Sequence, residues 1–251
     1  MTDHFFIAGA QRCATTYLYH VLAQHPEIEM AHPVRPEPKF FLIDSLFERG
    51  IAFYDSTYFR NKEGAWLRGE KSTSYMESEK TAVRISECFP DAQIVFLLRD
   101  PVSRAISNYR FSVKNGFEEL SMEEAFVHEE ERRGNYDQAR VSASPYAYLK
   151  RGRYVDYISM YQRHFPQESI KVIIQERFVG SAPAMQDLFS FLGVSLNFLP
   201  DGLDKVIHAS NSSSEPLASL SPDLEHYLID YFEDSNKQLA ELLGLELTEW
   251  R

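Results

Sequence analysis

Basic residues are in short supply in this chain. Lys and Arg number 26 against 37 Asp and Glu, a formal charge of −11 with a pI near 5.2. A surface of that sign repels polyanions on average, which excludes nucleic acid or an anionic membrane face as the main partner. Any anion site must therefore be local. Cysteine is almost absent: Cys13 and Cys88 are far apart and form no Cys-x-x-Cys pattern. That excludes a disulfide framework and a zinc site, and a reducing cytoplasm is the expected setting. No His pair has metal-ligand spacing, so no metal is expected. No run reaches the roughly 18 apolar residues of a membrane span. The start, Met1-Thr2-Asp3 followed by His4-Phe5-Phe6-Ile7-Ala8-Gly9, has no basic region or long apolar stretch, and no secretory leader is expected. There is no internal repeat and no low-complexity linker.

What the chain does have is hydrophobic substance. Its 251 residues, 44% hydrophobic and 14% aromatic, suffice for one large α/β domain over 1–251. Phe5 to Ala8 is a short apolar run ended by Gly9, and Tyr17, Leu18, Val21 and Leu22 have helical spacing, so the spacing predicts strand, loop, helix. Pro33, Pro36 and Pro38 forbid a helix or central strand and imply a stiff loop, anchored at its far end by Phe40-Phe41-Leu42. Residues 66–71 and 93–98 read as strands separated by a helix near 78–88. Asp100-Pro101 is a cap followed by a first-turn proline, opening a helix to about Lys114. Residues 117–154 differ in character, with many Glu and Tyr, and predict a helical insert. Residues 171–174 return to strand, followed by helices over 185–192 and 223–243. The rhythm is that of a central parallel sheet flanked by helices, in a single domain that resembles the P-loop type.

The loop Gly9-Ala10-Gln11-Arg12-Cys13-Ala14-Thr15-Thr16 has the chemistry of an anion cradle. A glycine lets the backbone turn, and the following helix aims N–H groups and its positive dipole end into the loop. A Walker loop would carry a second Gly, then Lys and Ser or Thr; here Ala14-Thr15-Thr16 stand in those places and Arg12 is the loop's basic residue. That disfavours an ATP-dependent phosphotransferase. Arg12 can neutralise charge on a phosphosulfate while Thr15 and Thr16 offer hydroxyls. Further on, Arg99 ends a strand and Ser107 lies two turns into the next helix, an arrangement suited to one phosphate at the carboxyl edge of a sheet. Taken singly, the loop also fits a strand-to-helix turn without a ligand, and Arg99 with Asp100 also fits a surface ion pair. A nucleotide sensor without catalysis would keep both elements.

Together these segments resemble the sulfotransferases that use 3′-phosphoadenosine-5′-phosphosulfate (PAPS). The first loop is similar to the family's 5′-phosphosulfate motif. Arg99-Asp100-Pro101 with Arg104-Ala105 and Ser107-Asn108-Tyr109 is similar to its 3′-phosphate motif. Gly69 to Tyr75, Gln175 to Phe178, Phe191 to Gly193 and the stretch from Leu242 to Trp250 also look like family segments, most of all those of heparan-type carbohydrate sulfotransferases and their bacterial relatives. The resemblance implies PAPS as donor and in-line displacement at sulfur. It assigns Gly9, Ala10, Gln11, Arg12, Cys13, Ala14, Thr15, Thr16, Arg99 and Ser107 to the donor. Pro36-Glu37-Pro38-Lys39-Phe40-Phe41 resembles the segment carrying the family's base, which gives Glu37 that role, and Lys71 becomes a second cation beside Arg12. Arg12 and Ala14 stand where many members have Lys and Gly, and Pro36 and Lys39 where they have Lys and His. Arg brings a planar fork in place of a point charge.

His32 and His208 are the other base candidates, and each also suits a structural or solvent-facing role. Cys13 opens a helix, a position that lowers a thiol pKa, but no His or Asp adjoins it. The insert over 117–154, with Lys150-Arg151-Gly152-Arg153, is the expected wall or lid over the acceptor. The acidic balance favours a neutral or modestly charged acceptor: the hydroxyl of a small natural product, lipid or oligosaccharide.

Overall fold

Phe5, Phe6, Ile7 and Ala8 have no polar side-chain atoms and are fully buried, as a parallel strand covered on both faces requires. They form the centre of β1 (Asp3–Gly9) in the computed structural model, which describes residues 3–136, 143–203 and 220–250. In chain order there follow α1 (Thr15–Leu22), β2 (Ile28–Met30), α2 (Asp44–Phe47), α3 (Ile51–Tyr58), β3 (Leu67–Lys71), a 3-10 turn at Thr73–Tyr75, α4 (Glu79–Cys88) and β4 (Gln93–Leu98). Next come α5 (Pro101–Lys114), α6 (Met122–Val127), α7 (Glu129–Arg132), a 3-10 turn at Lys150–Gly152 and α8 (Tyr154–Tyr161). A 3-10 turn at Gln167–Ser169, β5 (Ile170–Ile174), α9 (Gln175–Phe178), α10 (Ala182–Leu192) and α11 (Pro222–Leu243) complete the described elements.

The described residues divide into two units, one from Met1–Leu98 with Met160–Ser214, the other from Arg99–Ser159 with Glu215–Arg251. The first holds a five-stranded, all-parallel sheet of order β2-β3-β1-β4-β5. After β1 the chain moves to one side to lay down β2 and β3, and then crosses to the other for β4. The order therefore reverses next to β1, and the carboxyl end of a strand at such a switch point is where open α/β sheets bind ligands. One face of the sheet packs Phe5, Ile7, Val95 and Leu97 against Leu18, Leu22, Met185, Leu188 and Phe189 of α1 and α10. Below the other face lies an aromatic cluster: Phe41 meets Phe6, Tyr54 and Phe89 at ring-centroid distances of 5.5, 5.3 and 6.0 Å.

The second unit is helical among its described residues. Asp100 caps α5 by accepting the Ser103 N–H at 2.7 Å, with Pro101 in the first turn. Ser121 and Glu124 form a reciprocal capping box on α6. In α11, Leu224, Leu228, Phe232, Ser235 and Leu239 recur at helical spacing and are buried, so one face of this 22-residue helix lies in the core with Val102, Ala105, Ile106, Phe126 and Tyr148. Among the described residues no helix is long and apolar enough to cross a membrane.

Candidate active site

The loop after β1 does not turn on a left-handed glycine. Gly9 is needed for room and not for a left-handed backbone: a Cβ there would sit 2.7 Å from Met76 Sδ and 2.8 Å from Met76 Cβ. The left-handed residues are Arg12 (φ 71) and Ala14 (φ 55), neither a glycine. Ala14 is also the residue at the N-cap of α1, where no side chain caps the helix. A helix that opens without a side-chain cap keeps first-turn N–H groups for an anion. Thr15 and Thr16 occupy that first turn. Arg12 is half-buried, and Cys13 is buried with its Sγ 3.8 Å from the Gln11 carbonyl, so the thiol points into the loop. These residues fit the 5′ end of a phosphosulfate nucleotide: a backbone turn, N–H groups at a helix start, a guanidinium and two hydroxyls.

Lys71 reaches the same place from the neighbouring strand. Parallel register sets it opposite Ile7, near the end of β1. The 3-10 turn beyond it is tied to β1 as well, through Ser72 N–H to the Ile7 carbonyl at 3.2 Å and Met76 N–H to the Ala8 carbonyl at 2.9 Å. Lys71 is only 3% exposed and its Nζ lies 2.5 Å from Glu37 Oε1. Glu37 also accepts the Thr73 N–H on Oε2 at 3.0 Å and the Thr73 hydroxyl, 3.0 and 3.1 Å from its two oxygens. Three donor groups do not exhaust the roughly four lone-pair directions of a carboxylate, so Glu37 retains capacity for a further proton. The three-proline loop is thus held over the ends of β1 and β3, with Phe40 and Phe41 fully buried beyond it.

Several members of this arrangement were assigned no role from the sequence. Thr73, Ser72 and Glu70 lie within the family-like segment from Gly69 to Tyr75. Ser72 Oγ accepts the Lys39 N–H at 2.9 Å and donates to Glu70 Oε1 at 2.6 Å. Burial pushes the Glu70 carboxyl up to about 7, although the hydroxyls of Ser72, Tyr75 and Tyr54 act in the opposite direction. Arg35, an exposed residue of the same loop, places Nη2 3.5 Å from Thr16 Oγ1 and brings a cation to the loop after β1. No sequence motif marks it.

Arg99 and Ser107 belong to the second unit. Both side chains are half-buried, and the Arg99 carbonyl accepts the Tyr154 hydroxyl at 2.9 Å, which fixes the backbone there. Ser103, Ser107 and Arg110 share the less buried face of α5. Asp100 serves α5 as its cap, as read from the sequence. Arg104 and Arg151 are buried, and both donate to Asn108 Oδ1, at 3.2 and 3.0 Å. Arg151 also donates to the Ser144 carbonyl at 3.1 Å, while Lys150 and Arg153 both pair with Asp156. Within the basic run expected at the acceptor wall, Arg151 therefore acts inside its own unit. His32 is exposed, with Nδ1 3.3 Å from the Tyr19 hydroxyl; His208 lies outside the described residues. Among the described residues, no group of three or more His, Cys, Asp or Glu side chains is arranged to hold a metal ion.

A parallel sheet whose first strand runs into an anion-cradling loop and a helix, at the point where strand order reverses, defines an α/β domain of the phosphate-loop type. Within that class the chain belongs to the sulfotransferase domain family, whose model matches residues 2–216. The crystal structure of a sulfotransferase from Alicyclobacillus acidocaldarius is similar over 99% of this chain and 98% of its own, with 32% identity and a TM-score of 0.80. The membrane-associated sulfotransferase kil1 of Dictyostelium discoideum is 32% identical over 53% of this chain and 30% of its own length. Heparan sulfate glucosamine 3-O-sulfotransferase 3A1 of Mus musculus is 28% identical over 75% of this chain and 45% of its own. The chain thus spans less than half the length of these last two relatives.

Proposed function

We propose that this chain transfers a sulfuryl group from PAPS to an acceptor hydroxyl by in-line displacement, with Glu37 as general base. The observation that carries the reading is the Glu37 carboxylate clamped by Lys71 and Thr73 beside the loop that ends β1. Family membership and the open start of α1 support the donor. Bound PAPS supplies the sulfuryl group and a phosphate leaving group. Arg12, Thr15, Thr16 and the loop's N–H groups hold the charge at its 5′ end, and Arg99 and Ser107 are assigned its 3′-phosphate on the likeness of their segment to the family motif. Glu37 takes the acceptor's proton as the new O–S bond forms, and Lys71 keeps the carboxylate aimed before that transfer.

The acceptor class we propose is a hydroxyl on a small natural product, lipid or oligosaccharide. The heparan-sulfate relatives favour the sugar, and the charge of −11 favours an acceptor that is neutral or modestly charged. Calorimetry tests the donor assignment. 3′,5′-ADP should bind without added metal and ATP with Mg²⁺ should not; the reverse result would move the protein to the ATP-dependent phosphotransferases.

A further inference from the structure

Glu37 is aimed by three donor groups, but the loop that carries it is anchored elsewhere. Pro36 and Pro38 have no N–H, so the amides this short stretch offers for anchoring are those of Glu37 and Lys39. Lys39 has a left-handed backbone, φ 51, which a lysine adopts when its surroundings impose it. Its N–H donates to Ser72 Oγ at 2.9 Å. Ser72 is fully buried, and a hydroxyl has a single proton to give. That proton goes to Glu70 Oε1 at 2.6 Å.

Glu70 is itself an oddity. It is 1% exposed, on a strand whose neighbours include Tyr54, Tyr75 and Tyr161, in a region where an apolar side chain would pack as well. Its Oε2 has no well-aligned hydrogen bond, although the Tyr75 and Tyr54 hydroxyls act on the carboxyl. Packing alone gives no reason to bury a carboxyl here, whereas the Ser72 proton needs an acceptor at this point.

We propose that Ser72 and Glu70 are positioning residues for the transfer step, forming a one-way relay from Lys39 N–H through the Ser72 hydroxyl to Glu70 Oε1 that holds the Glu37 loop in place. The proposal rests on Glu37 being the base. Glu70 needs only a carbonyl-type oxygen facing Ser72, so glutamine can replace it and an apolar residue of similar size cannot. Tyr54, Tyr75 and Tyr161 surround the carboxyl; the Tyr75 hydroxyl also accepts the Phe41 N–H at 3.1 Å, further along the loop, while Ser72 is the contact that meets Lys39, two residues from Glu37.

The test compares Ser72→Ala, Glu70→Met, Glu70→Gln and Glu37→Gln. Amide exchange at Lys39 is read by NMR, 3′,5′-ADP affinity by calorimetry, and turnover as 3′,5′-ADP release from PAPS with water as the acceptor. In Ser72→Ala and Glu70→Met the Lys39 amide should exchange about tenfold faster and turnover should fall about tenfold, the scale of one lost hydrogen bond, with nucleotide affinity kept. Glu70→Gln should stay near wild type in all three, and Ser72→Ala with Glu70→Met together should be no worse than Ser72→Ala alone. Should Glu70→Met not fold, Ser72→Ala against Glu70→Gln carries the comparison. Unchanged Lys39 exchange in Ser72→Ala would overturn the relay, as would Glu70→Gln losing as much turnover as Ser72→Ala. Wild-type turnover in Glu37→Gln would instead remove the base assignment, and with it the relay's part in catalysis, even with Lys39 exchange raised.

Discussion

Glu37 is the residue to which the proposed mechanism gives the acceptor's proton, and its surroundings show what it would lose by substitution. A carboxylate that accepts from an ammonium 2.5 Å away and from both donors of Thr73 is aimed as a charged group. Glutamine preserves its shape and removes its capacity to take a proton. Glu37→Gln should therefore lower kcat by about 10²–10⁴-fold, the range of a lost general base, while calorimetry shows 3′,5′-ADP binding unchanged. A kcat equal to wild type would contradict the assignment. For Arg99, a half-buried cation assigned to a phosphate, Arg99→Ala should weaken 3′,5′-ADP binding by about 2–4 kcal/mol, also by calorimetry; unchanged affinity would remove it from the site. Both residues are singled out by their motifs. The Lys71–Glu37 pair is not, because its members are 34 residues apart and their meeting depends on the path of the three-proline loop. Glu70 was equally silent: only the parallel register and the aromatic side chains around it reveal a carboxyl in the core.

At the level of elements, the strand–loop–helix unit was readable because its apolar run and its helical spacing meet at one glycine. The physical role of that glycine was not readable, since it depends on Met76, far along the chain. The left-handed geometry falls instead on Arg12 and on Ala14. A left-handed alanine costs roughly 1–2 kcal/mol, offset by the roughly 0.4–1 kcal/mol that glycine's greater freedom when unfolded takes back. Ala14→Gly should therefore stabilise the protein by about 0.5–1 kcal/mol, seen as a rise of a few degrees in Tm at about 2–4 °C per kcal/mol; a fall in Tm would contradict the geometry. The helix from Pro101 was legible from its cap and proline. β2 and the α2–α3 stretch were not: β2 has only three residues, all buried, too few to show a period, and the aromatic residues of α3 owe their burial to the cluster around Phe41.

For the molecule as a whole, the division into two units follows from contacts that composition does not encode. Its stability should carry the mark of Glu70. The folded protein holds this carboxyl at about 7 against an ordinary 4.5, so the proton is bound more tightly folded than unfolded. The stabilisation is complete below about pH 4.5 and is lost as pH rises through about 7, on the order of 3 kcal/mol in all. Tyr54, Tyr75 and Tyr161 stay protonated in this window because burial pushes their hydroxyls up, and Glu37 is the carboxylate nearby. Glu118 acts in the other direction. Burial opposes its ionisation but is outweighed by Arg132, the Leu120 N–H and the Tyr148 hydroxyl, so its contribution is lost as pH falls into the acid range. Between about pH 5 and about pH 8, Tm should fall more in the wild type than in Glu70→Gln; parallel curves would contradict the buried, proton-holding carboxyl.

Incubating the protein with sulfur-labelled PAPS and a metabolite extract, and resolving the products by mass spectrometry, tests sulfuryl transfer from PAPS. The wild type should make a labelled compound in step with 3′,5′-ADP release, and Glu37→Gln should lose it. No labelled product from the wild type, with 3′,5′-ADP still bound, would contradict that transfer and leave a nucleotide sensor.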